Sequence, residues 1–99
     1  MTDEQAPVFD ALHVPPEAFD KGGVEVLRAV IIDGALHVSL RRAFDDPEAF
    51  GMMIADITRH VGRIYADRFP EEQTVERIRA IYDAEMDAPT DPGTTTALS

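Results

Sequence analysis

Apolar and polar residues alternate most regularly between Val24 and Arg42, which reads VEVLRAVII, then DG, then ALHVSLRR. Two β-rich runs around Asp-Gly predict a hairpin with a type I′ turn, whose twist matches that of paired strands. A two-residue loop fixes the register. Ile32 then faces Ala35, Ile31 faces Leu36, Ala29 faces Val38, Leu27 faces Leu40 and Glu25 faces Arg42. With a period of two, Leu27, Ala29, Ile31, Leu36, Val38 and Leu40 share one face, wholly apolar and in need of cover. The other face carries Val26, Arg28, Val30 and Ile32, with Ala35, His37, Ser39 and Arg41. Its first strand has three β-branched residues, Val26, Val30 and Ile32, that would prefer cover, and its second is polar.

After Phe44 the period lengthens to that of a helix. Asp46 can cap the first free N–H groups, Pro47 suits the first helical position, and Glu48 favours the positive end of the dipole. Phe50, Met53, Ile54, Ile57, Val61, Ile64 and Tyr65 then form one stripe, spaced to face the hairpin. Opposite lie Asp56, Arg59, Arg63 and Asp67, with Arg63 and Asp67 spaced for a local ion pair. Pro70 stops this helix and, with Glu71 and Glu72, starts another, whose stripe is Val75, Ile78, Ile81, Tyr82 and Met86. Pro89 ends it.

Outside these elements, residues 1–7 read as a flexible tail, and Val8 to Val14 as an extended segment lying on the core. Pro15 and Pro16 open a short helical turn over residues 15–20, which Gly22 and Gly23 end. Residues 89–99, with proline, glycine and a threonine run, read as a disordered tail. The expected architecture is α+β: one domain over residues 8–88, with an antiparallel hairpin at about 24–42 packed on amphipathic helices at about 47–68 and 71–87.

Composition narrows what such a domain can do. The chain has 99 residues, 44% of them hydrophobic, enough for one domain with a core of marginal size. It contains no cysteine, so neither disulfides nor thiolate metal sites can support it. Three scattered histidines make no metal motif. A partner subunit is the remaining support. A two-stranded ribbon is marginal alone, and its two edges invite pairing. A homodimer through the hairpin is therefore expected, by edge or by the Val26, Val30 and Ile32 face. A monomer with Val8 to Val14 as a third strand is the alternative.

The formal charge of −10 disfavours nucleic acid and anionic membranes. An apolar run such as Ala29 to Ile32, which none in the chain exceeds, is far too short to span a bilayer. The first residues carry Asp3 and Glu4 and no basic segment, so a cytoplasmic protein is expected.

The stretch KGGVEVLRAVIIDGALHVSLRRAFDDPEAF, with ADITRHVGRIYA and ERIRAIYDAEMDAPTD, resembles the bacterial domain-of-unknown-function family DUF5076. The likeness runs from about Val14 to Asp91, and Lys21 to Phe50 is its most specific part. It implies a short stand-alone protein, found mostly in alphaproteobacteria, with no assigned activity. It brings no catalytic or ligand residues.

Candidate chemistry is sparse. His60 follows Asp56 by one helical turn, a spacing at which a carboxylate can orient and charge an imidazole. Without a nucleophile this defines no reaction, and a boundary histidine explains it as well. His37 and Arg41 alternate on the outer face of the second strand, with Arg28 across from Ser39, a polar strip able to bind an anion or simply to face solvent. Arg28, His37, Arg41 and His60 are thus the candidate ligand-binding residues. No catalytic motif, phosphate loop, metal motif or cofactor signature is present. The sequence points to a non-enzymatic, self-associating interaction or regulatory module. The alternative is a small ligand binder or enzyme with a His/Arg site at a subunit interface.

Overall fold

A computed structural model describes residues 7–90 and 93–98. Along the chain run α1 (Glu17–Lys21), β1 (Leu27–Ile32), β2 (Ala35–Arg41), α2 (Glu48–Ile64), α3 (Glu71–Asp87) and β3 (Thr94–Leu98). The class is α+β, with a three-stranded sheet in the order β1-β2-β3.

The hairpin follows the expected register at every described pair, from Leu27 opposite Leu40 to Ile32 opposite Ala35. Asp33 and Gly34 have φ of 52° and 81°, so both central residues of the turn are left-handed, as type I′ demands. Glu25 and Arg42 lie beyond the paired strands. Glu25 is instead ion-paired with Arg28 at 3.1 Å.

The third strand comes from the C-terminal side. β3 lies parallel to β2, with His37 opposite Thr94 and Arg41 opposite Leu98. The expected tail beyond residue 89 therefore contains a strand. Val8 to Val14 has no regular structure and pairs with neither hairpin strand, which corrects the third-strand alternative. Of the expected N-terminal tail, residues 1–6 lie outside the described residues. Parallel pairing needs a long crossover, which α2 and α3 supply. Gly93, at φ 60°, allows the close approach: a β-carbon there would run into the carbonyl oxygen of Leu36.

The helices start as their sequences require. Asp46 accepts the Glu48 N–H at 3.0 Å, and the Pro70 carbonyl accepts from Gln73 and Thr74. α2 ends at Ile64, short of the expected residue 68. The chain tightens there, with the Ala66 N–H reaching back only to Arg63 and those of Arg68 and Phe69 both to Tyr65. Asp67 thus falls outside the helix, and Arg63 turns to Glu71 on α3 at 4.0 Å. Arg59 and Glu72 add a second interhelical pair at 3.4 Å. Both pairs are exposed and contribute little, about 0–1 kcal/mol each. The two helices come closest at Gly62, where a β-carbon would lie 3.0 Å from Glu71 Cγ and 3.4 Å from Val75 Cγ2.

The expected seating of the hairpin on the helices is not made within the chain. Among the described residues, no α-carbon of α2 or α3 comes within 8 Å of one in the sheet. Among the described residues only Gly62, Thr74 and Val75 are buried. Ile31 is 67% exposed and Leu36 42%, on the face meant for the helices. Ile64 and Ile81, at 73% and 66%, are as bare on the helical side. The physical reason lies in the connector. Residues 42–47 lead from β2 straight into the capped start of α2, and Phe44 packs edge-on against Phe50 at 5.1 Å rather than folding α2 back over the sheet.

Candidate functional site

The register gathers three of the four candidate residues on one side of the sheet. Arg28 is opposite Ser39 and Val30 opposite His37, so the two-residue period puts Arg28, His37 and Arg41 on the same face. Each is already engaged. The Arg28 guanidinium donates to both carboxylate oxygens of Glu25, at 3.1 and 3.3 Å, and stands 5.8 Å from the centre of the Phe9 ring. Arg41 Nε donates to the Glu25 carbonyl at 3.2 Å. Both arginines therefore converge on Glu25 at the open end of the hairpin. His37 Nδ1 is hydrogen-bonded to the Thr94 hydroxyl of β3.

His60 does not join them. It lies on α2, on the far side of the connector from the sheet. Its Nδ1 is 3.2 Å from Arg63 Nη1, so the guanidinium donates and the imidazole accepts. The arginine one turn on, rather than Asp56 one turn back, is its neighbour. The structure thus yields a strip with arginines at one end and a histidine along it, and a separate histidine. Among the described residues, no group of three or more His, Cys, Asp or Glu side chains is placed to hold a metal.

Two concave surfaces escaped the reading of the sequence. One lies between residues 8–19 and the β1 side of the hairpin, encloses about 900 Å³, and is walled by Phe9, Leu12 and Phe19 against Leu27 and Ile31. The other is a groove of about 620 Å³ between α2 and α3, lined by Val61, Tyr65, Phe69, Ile78, Ile81 and Tyr82. Arg77 lies at its edge, over the Phe69 ring at 4.9 Å, a cation–π contact that holds the ring in place. The helical stripes were visible in the sequence; that they form an open groove was not, because helix spacing cannot say what covers a stripe.

Comparison with known proteins fits this sparse chemistry. No curated protein matches the chain. A solved structure from the photosynthetic bacterium Rhodopseudomonas palustris CGA009 is similar at 36% identity and a TM-score of 0.72. The alignment covers 95% of this chain and all of that one, a protein that carries a provisional name as a pyruvate dehydrogenase. A family model described as a domain of unknown function matches residues 11–90. That span takes in α1, the hairpin and both long helices, and on this ground the chain belongs to the DUF5076 family.

Proposed function

We propose that this protein is a non-enzymatic module that works as a homodimer through its hairpin, in the cytoplasm. The observation that carries this reading is the incompletely covered apolar face of the sheet, with Ile31 67% and Leu36 42% exposed and the chain's own helices standing away. Soluble monomers seldom leave so contiguous an apolar surface to water. No helix among the described residues is long and apolar enough to cross a membrane, so a bilayer-spanning role gives that face no cover.

A His/Arg ligand site has less support. Arg28, His37 and Arg41 share a face, but each already has a partner within the chain, Glu25 for the two arginines and Thr94 for His37. The provisional name of the Rhodopseudomonas relative adds no residue to it.

Sedimentation velocity at micromolar concentration tests the proposal. The expected mass is twice the 10.9 kDa of one chain. Ile31→Glu, which puts a charge on the exposed face, should shift the equilibrium to monomer while far-ultraviolet circular dichroism stays folded. A wild-type monomer, or an Ile31→Glu variant that dimerises as well as the parent, would contradict it.

A further inference from the structure

The chain consists of two halves, each with the kind of surface the other lacks. The sheet offers a flat apolar face of Leu27, Ala29, Ile31, Leu36, Val38 and Leu40. The helix pair offers an apolar groove running past Ile78 and Ile81. A sheet face and a helix stripe are stable when layered together. Here they are tied by residues 42–47 and again by the run from α3 to β3, and among the described residues they do not meet.

The exposed area is large enough for a second copy to cover them. The chain has 8663 Å² of accessible surface, whereas a folded monomer of its mass has about 5,600 Å². The excess of about 3,000 Å² is of the order that each chain buries in an obligate homodimer, about 1,000–2,500 Å². The radius of gyration is 16.7 Å, against about 13 Å for a compact chain of this length. A second copy brings the missing half of each layer pair at the right stoichiometry.

Resting on the self-association reading above, we propose an exchange. In the homodimer the hairpin of one copy seats its apolar face in the α2–α3 groove of the other, and the reverse, around one two-fold axis. Each two-layer unit is then built from two chains. Exchange of an element across a hinge is a low-cost route to a dimer, because it makes between copies the contacts a closed monomer would make within one. A dimer joined only sheet to sheet leaves the groove of Tyr65, Phe69, Ile81 and Tyr82 bare, and one joined only helix to helix leaves Ile31 and Leu36 bare. Exchange covers both at once.

A mixed sample of carbon-13-labelled and unlabelled wild-type chains, unfolded and refolded together, tests this by isotope-filtered nuclear Overhauser spectroscopy. The expected result is cross peaks between chains from the methyls of Ile31 and Leu36 to those of Ile78 and Ile81. Interchain peaks confined to hairpin–hairpin or helix–helix methyls would overturn the exchange and leave self-association standing. Hairpin–helix peaks found only within one chain, with no interchain peaks, would overturn both.

Discussion

Thr74 is a small exception to the rule that buried polar atoms find partners. It is 7% exposed, and its hydroxyl oxygen has no hydrogen-bond partner. It lies beside Val75, at the closest approach of the two helices, in the best-covered part of the chain. An unsatisfied buried hydroxyl costs about 1–3 kcal/mol. Thr74→Val keeps the shape and removes that cost. Urea denaturation at fixed chain concentration should show a gain of about 1 kcal/mol; a loss would mean that the hydroxyl has a partner in solution. Glycine acts in two ways here. Gly34 allows a turn with φ of 81°, and Gly62 lets Glu71 and Val75 come close to α2. The turn was legible from the dipeptide itself. The helix contact was not, because one glycine within a helix does not say which neighbour it admits.

At the scale of elements, the hairpin was the most legible part, since a two-residue loop leaves one register and the register sorts every side chain to a face. The helices were legible in extent apart from the last turn of α2, where no proline or glycine marks the stop at Ile64. β3 was not legible. Its sequence, TTTAL, lacks a strong apolar alternation, and its pairing depends on a parallel neighbour far away in the chain. Missing β3 also hid the partner of His37, so the candidate strip read as more open than it is. The strand's weak point is Gly93. Gly93→Ala pushes a β-carbon into the Leu36 carbonyl at a φ that favours glycine. Amide hydrogen exchange should then show residues 94–98 losing protection while Leu27 to Ile32 keep theirs. Unchanged protection in β3 would show that the strand does not depend on that approach.

For the whole molecule, the sequence anticipated both apolar surfaces and expected them to meet within one chain, where the structure keeps them apart. The apolar face of the hairpin and the stripes of the helices were both read from their periods. Periodicity says that a face needs cover and nothing about which chain supplies it. The structure shows that the chain's own helices do not cover the sheet: residues 42–47 lead directly into α2, and among the described residues the helices and the strands do not meet. Among its described residues only Gly62, Thr74 and Val75 are buried, a small interior for a chain whose net stability is a narrow difference of large terms. If the second copy completes that interior, folding and association are one equilibrium, and stability must depend on mass action. The most direct measurement is therefore the thermal or urea unfolding midpoint at chain concentrations from low micromolar to near millimolar. The account predicts a midpoint that climbs steadily with concentration in a single cooperative transition. A midpoint that stays fixed across that range, with the same cooperativity, would show a self-sufficient monomer and contradict it.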